Sequence, residues 1–385
     1  MVRDCTLDRQ CVSRGHALTV VTKVAVNLSW CVPGKVGGSE EYLCRQLLGL
    51  DSRFEPTLFV PEGFAEAHPE LAERFEIVRG PFDGTSRVRR VMSESSWLHQ
   101  RTRGFDVIHH GGGTIPIRHH RPTLLTIHDL QYREFPAYFR AHKLAYLRYI
   151  MPRSARRATE ISVPTEFVKK TVHDAYGIDS DRIHVVPHGI EPGLGSNATP
   201  VEVLRSRYHL GSEPFVVFPA MTHPHKGHGF LLDVMERHWV DRGVRLILIG
   251  GAGSAESDVA RRVSSGRLAA HVSRLGRVSA EDRDGFLKAA MAMVFPSEYE
   301  GFGAPLIEAM TLGTPVICSD RACLPEVVGD AGLVLPLSIE AWAKALDDVD
   351  RRRSDLVARG MERSKMFTTD VSGSTLASAY RSVIE

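Results

Sequence analysis

Two carboxylates eight positions apart, Glu300 and Glu308, bracket the segment EGFGAPLIE. A carboxylate accepts two hydrogen bonds side by side, which suits the vicinal hydroxyls of a sugar or a ribose. Between the two, Gly301 and Gly303 lead to Pro305, whose fixed φ suits the first position of a helix that Gly313 closes. A glycine-bearing loop entering a helix N-terminus presents unpaired N–H groups and the positive end of the helix dipole, so it suits an anion such as a diphosphate. Pro305 has no N–H, which leaves the amides of Gly301, Phe302, Gly303, Ala304 and Leu306. On spacing alone, a capping glutamate followed by a solvated helical one explains the pattern without a ligand.

Other candidates stand at similar places. Lys226, in FPAMTHPHKGH (Phe218 to His228), follows a strand. It is either a solvated charge or, facing the diphosphate loop, a cation that neutralises a leaving nucleotide. Gly37 and Gly38, in VPGKVGGSEE, precede a helix with Ser39 as the expected N-cap. They allow close backbone approach to a ligand, although a tight turn needs them too. His128, in TIHDLQY, ends a strand where an imidazole can meet sugar and acceptor or serve structure alone; Asp129 is set aside as its orienting neighbour. Arg277 and Val278, in LGRV, end another strand.

The elements that position these groups alternate short β-branched runs with amphipathic stretches, the pattern of parallel sheets with crossover helices. Lys23 to Trp30, Pro56 to Val60, Phe105 to His109, Thr123 to His128 and Glu160 to Val163 read as strands of a first sheet, with Ser39 to Leu48 helical. Phe215 to Pro219, Val244 to Ile249, His271 to Leu275, Ala292 to Phe295, Pro315 to Cys318 and Gly332 to Leu335 read as a second. Helices are expected at Gly229 to Glu236, Ala255 to Val263, Ala280 to Ala289 and Pro305 to Leu312. The expected organisation is a tail over residues 1–18, a first α/β domain over 19–187 and a linker over 188–200. A second α/β domain over 201–365 and a C-terminal helix over 366–385, packing back on the first, complete it. Ligands then bind at the carboxyl ends of both sheets.

The 385 residues suffice for two domains, and a formal charge of +2 offers no global field for gripping nucleic acid. Six cysteines without zinc spacing read as free thiols of a reducing cytoplasm. No leader or membrane span is expected. Eighteen histidines raise a metal hypothesis, but neighbours on a strand, as in His109–His110, point to opposite faces. The D-x-D of Asp282 and Asp284 falls within a helix, and no metal site is expected. Phe139 to Arg157 mixes basic residues with Leu, Tyr, Ile and Met. It reads as a solvated helix packed on the sheet, or as a peripheral contact with anionic lipid.

EGFGAPLIEA resembles the E-x7-E signature of retaining GT-B glycosyltransferases, particularly glycosyltransferase family 4, and the resemblance runs over nearly the whole chain after about residue 20. It implies two Rossmann-like domains facing across a cleft, and a nucleotide-sugar donor. Glu300 with the amides of Gly301, Phe302 and Gly303 would hold the donor sugar, and Glu308 the ribose hydroxyls. Gly37 and Gly38 would lie over the phosphates, His128 would line the transfer site, and backbone near Arg277 and Val278 would touch the base. An arginine common in relatives is absent here, where Pro219, Ala220 and Met221 stand. The PHK-x-H type resembles bacterial mannosyl- and rhamnosyl-transferases, which implies GDP-mannose as donor, a glycan or lipid-linked acceptor and no cofactor. A GT-B-shaped epimerase or phosphorylase and a silent sugar-nucleotide sensor are the other readings.

Overall fold

Strands buried on both faces need near-continuous apolar sequence, and the short runs of this chain supply it. The structure, a computed structural model, describes residues 21–33, 37–81 and 86–385. The expected tail at 1–18 lies outside them. The first sheet contains β1 (Thr22–Asn27), β2 (Phe54–Val60), β3 (Glu76–Arg79), β4 (Val107–His110), β5 (Thr123–Thr126), β6 (Glu160–Val163) and β7 (Ile183–Val185). All are parallel, in the order β3-β2-β1-β4-β5-β6-β7.

The second sheet contains β8 (Phe215–Pro219), β9 (Arg245–Ile249), β10 (Val272–Gly276), β11 (Ala292–Phe295), β12 (Val316–Ser319) and β13 (Leu333–Leu335). It is also parallel, in the order β10-β9-β8-β11-β12-β13. Each order reverses direction once, between β1 and β4 in the first sheet and between β8 and β11 in the second. Crevices open at such switch points, at the carboxyl ends of the strands.

Side chains alternate across β1 with period two. Val24 and Val26 pack with Leu43 and Leu47 of the helix Gly38–Leu48, while Ala25 joins Phe59, Leu98 and Ile108 on the opposite face. A separate core fills the second half around Trp239, Phe286, Phe295 and Trp342, all essentially without solvent contact. The last helix, Thr369–Ile384, belongs to the first half's core through Leu376, Tyr380 and Val383. Its Gly373 lies so close to Gly49 that a Cβ there would stand 2.0 Å from a backbone carbon.

β3 and β7 were not expected. At four and three residues on the sheet margins they are too short to carry a pattern. The helix after β1 is capped by Gly37 at φ 75°, which places Ser39 inside the first turn. The helix after β11 spans Ala304–Thr311 with Gly303 as cap at φ 90°. Pro305 therefore holds the second position. In both cases glycine takes a left-handed turn that side-chain capping rules do not anticipate.

Candidate active site

The loop from β11 to the helix Ala304–Thr311 is fixed from two sides. The Cys323 thiol donates to the carbonyls of Glu300 and Phe302, both at 3.3 Å. From the first half, the Thr165 hydroxyl donates to the Gly301 carbonyl at 3.0 Å. A Cβ on Gly301 would fall 2.2 Å from the His128 carbonyl oxygen, so glycine is the residue that lets the two halves meet here. Among the described residues the amides of Gly301, Phe302, Gly303 and Ala304 make no hydrogen bond within the protein. Leu306 is different: its N–H donates to the Gly303 carbonyl at 3.0 Å and its side chain is fully buried. This corrects the expectation that it serves the donor, because the helix begins one residue early and consumes that amide.

Lys226 reaches this loop because Gly227, at φ 77°, presses the segment after β8 against Pro296, where a Cβ would stand 2.2 Å from the Pro296 carbonyl. The Glu298 amide donates to the His225 carbonyl at 2.7 Å. Lys226 Nζ then pairs with Glu300 Oε1 at 2.6 Å, both side chains largely buried.

His128 donates through Nε2 to the Gly111 carbonyl at 2.9 Å, which leaves Nδ1 as an acceptor. Desolvation between the rings of Trp30 and Tyr42 lowers its pKa to about 4, so the imidazole is neutral at pH 7.

A cavity of about 440 Å³ joins these groups, lined by Gly37, Gly38, His128, Lys226, Glu300 and the run from Gly301 to Ala304. Arg277 lies outside it, lining a neighbouring cavity of about 350 Å³ with Gly250 and Gly251; Ala220 borders both. Val278 lines neither.

Glu308 sits one turn deeper and is almost wholly buried. Its Oε1 accepts from Arg45 Nη1 of the first half at 3.0 Å, and Arg45 also meets Glu191 at 2.8 Å and Glu41 at 3.4 Å. Burial pushes the Glu308 carboxyl up, but Arg283 and Arg45 outweigh it and hold the group below its ordinary value.

Residues passed over in the sequence also line the main cavity. Asp129 accepts from the Gln131 amide at 2.9 Å, and its pKa is raised by burial and by the Glu300 charge. His188 stacks on Phe302 at 5.5 Å, and His225 is lowered to about 3 by burial and then by Lys226. The HD dipeptide pointed to Asp129; nothing local marked His188, which arrives through a long-range contact. The expected strand geometry of the histidine pair holds: His109 bonds Tyr380 and Thr126, while His110 bonds Asn27. Asp282 and Asp284 lie in the helix Ala280–Ala289 and bond Thr199 and the Gly195 amide respectively.

Residues 36–194 match the profile of the family described as Glycosyltransferase Family 4, and residues 213–349 that of Glycosyl transferases group 1. O-antigen chain mannosyltransferase B of Escherichia coli is 30% identical over 286 residues, covering 72% of this chain and 74% of that protein. The chain belongs to glycosyltransferase family 4. It is a glycosyltransferase, and other relatives carry related names. O-antigen chain mannosyltransferase RfbU of Salmonella typhimurium is 27% identical over 240 residues, covering 62% of this chain and 63% of that one.

Solved structures share the family 4 enzyme's fold at lower identity. HepE of Anabaena, in complex with UDP-glucose, matches with a TM-score of 0.73 at 18% identity, over 94% of this chain and 99% of that one. Sucrose-phosphate synthase from Thermosynechococcus elongatus matches with a TM-score of 0.71 at 19% identity, over 94% and 98%. The two-sheet architecture is therefore that of the GT-B fold.

Proposed function

We propose that this glycosyltransferase moves a hexose, with retention of configuration and without a metal ion or other cofactor, from a nucleotide diphosphate sugar to a hydroxyl of a glycan or lipid-linked acceptor. The observation that carries the reading is the Lys226–Glu300 pair at 2.6 Å, set beside the open amides of Gly301 to Ala304 in one cavity. GDP-mannose is the preferred donor, supported by the mannosyltransferase names of the relatives. In this reading the second half holds the donor, the first presents the acceptor, and a hinge through residues 188–200 closes the cleft. Cytoplasmic action fits a nucleotide-sugar donor.

Departure of the nucleotide diphosphate breaks the anomeric C–O bond and places negative charge on the leaving phosphate. Preorganised amides at the helix N-terminus and the Lys226 ammonium stabilise that charge without reorganising. The acceptor oxygen then bonds to the anomeric carbon on the same face, and its proton passes to the departing phosphate oxygen. Glu300 orients the sugar hydroxyls, and neutral His128 contributes Nδ1 as an acceptor at the reacting edge. Glu308 takes the ribose hydroxyls on the carboxylate oxygen that Arg45 leaves available.

A thermal-shift panel of nucleotide diphosphates and their sugars tests the donor, since a ligand held by the folded state raises Tm. GDP and GDP-mannose should raise it most. Lys226→Ala should lower transfer about a hundredfold, the size of losing one preorganised donor. Wild-type activity in Lys226→Ala or Glu300→Ala, or a glycosyl adduct trapped on Glu300, would sink the assignment.

A further inference from the structure

A second cavity, of about 620 Å³, lies between the two halves beside the one that holds Glu300 and Lys226, and its size is that of a small-ligand site. Phe135 and Phe167 line it from the first half, Ala322 and Leu337 from the second, and Tyr299 is a wall common to both cavities. Its floor is aromatic and fixed. Tyr299 meets Phe135 and Phe167 edge to face, with ring centres 6.0 and 5.8 Å apart, and its hydroxyl accepts from the Leu130 amide at 3.3 Å. The aromatic surface continues outward. Tyr138, 42% exposed, stacks flat on Phe135 at 5.3 Å and stands 6.2 Å from the ring of His225, which lines the cavity of Glu300.

Charged side chains surround this floor. Arg133, Glu134, Asp174 and Arg321 are exposed and Glu298 is half-buried, so three carboxylates stand against two guanidinium groups. Asp174 pairs with Lys170 and Arg321 with Asp320, and the charges of those two outside partners cancel. Among the described residues Arg133 meets no carboxylate, and the carboxylates of Glu134 and Glu298 accept no hydrogen bond. Their hydrogen-bonding capacity is open to a ligand.

Three ligand classes fare differently here. A phosphate or other anion meets an excess of negative charge. An alkyl chain covers the rings but takes the charged groups out of water without pairing them. A saccharide suits both surfaces, because its C–H faces pack on aromatic rings while its hydroxyls donate to carboxylates and accept from a guanidinium. We propose that this cavity is a subsite for a glycan acceptor, holding the sugar residues next to the one whose hydroxyl reacts beside His128. Tyr299, one position before Glu300, lets a single chain run from one cavity into the other. Both halves contribute walls, so the subsite is complete only when the halves are together. The inference rests on the reading of the chain as a transferase acting on a glycan, and it adds where that glycan lies.

Saturation-transfer NMR on the full chain tests this, with methyl α-mannoside, α-mannotetraose and octyl α-mannoside as probes. Mannotetraose should bind about tenfold more tightly than methyl α-mannoside, with transfer to rings beyond the terminal one. Ala175→Trp fills the cavity from the helix Glu166–Tyr176 and should erase that preference. Glu134→Gln keeps the volume, disturbs no packing and should weaken mannotetraose binding about fivefold. Both variants should keep the wild-type Tm, the Tm shift with GDP-mannose and the slow hydrolysis of that donor, which separates this subsite from the donor site. Equal binding of the mono- and tetrasaccharide, full tetrasaccharide binding by Ala175→Trp, or tighter binding of octyl α-mannoside than of mannotetraose, the mark of an alkyl occupant, would each overturn the proposal. A wild type that binds mannotetraose in this way but responds to no nucleotide sugar would refute the donor reading instead.

Discussion

Arg45→Met offers the most direct test of how the two halves hold together. The guanidinium is 4% exposed and the Glu308 carboxylate 5%, and their 3.0 Å contact joins the first half to the second. Removing one partner of a buried pair costs about 3–5 kcal/mol, because the remaining charge stays desolvated. Arg283 also acts on Glu308, and the other partners of Arg45, Glu41 and Glu191, are half-exposed, so the lower end applies. For 385 residues unfolding together, the entropy of unfolding is about 0.8 kcal/mol/K, and a loss of about 3 kcal/mol lowers Tm by about 4 °C.

The sign with pH follows from the depressed Glu308 pKa. A carboxyl held below its unfolded value contributes stability above that value and loses it as pH falls through the folded pKa. The gap between wild type and Arg45→Met should therefore be full at pH 7 and close in acid. Melting curves by circular dichroism from pH 7 downward measure it. A companion Arg45→Met/Glu308→Leu variant should recover most of the loss, since a buried pair replaced by apolar groups is often neutral. A Tm within about 1 °C of wild type for Arg45→Met at pH 7, corresponding to less than about 1 kcal/mol, or a deficit that persists unchanged in acid, would refute the reasoning.

Two further outcomes follow from close contacts. Gly301→Ala places a methyl 2.2 Å from the His128 carbonyl, so the loop must shift and the halves part. Transfer should fall by more than tenfold, the scale on which small misplacements act, while donor-free stability falls by about 1–3 kcal/mol, read by steady-state kinetics and denaturant melts. Tyr380→Phe removes the hydroxyl 2.8 Å from His109 Nδ1 at the junction of the last helix with β4, and should cost about 1 kcal/mol in urea unfolding with transfer unchanged.

Much of the fold is legible in residue order because its signals are local. β6, β11 and the helix Ala280–Ala289 fall on the expected residues, since each is a run of one period bounded by turn residues. β7 escapes because three residues carry no period, and its pairing with β6 is a property of the assembled sheet. The placing of Glu300, Lys226 and His128 at strand ends is likewise local, and parallel topology then brings those ends to one cavity.

What the order of residues determines by itself is therefore the alternation of strand and helix, the glycines at the turns, and which side chains stand at carboxyl ends. Tertiary structure alone decides that Glu300 is paired with Lys226 and that Glu308 faces an arginine 263 positions away. It also decides which arginines go without a carboxylate. These outcomes depend on distances between groups far apart in the chain, and those distances are set by how the strands and helices of both halves pack, which no local propensity encodes.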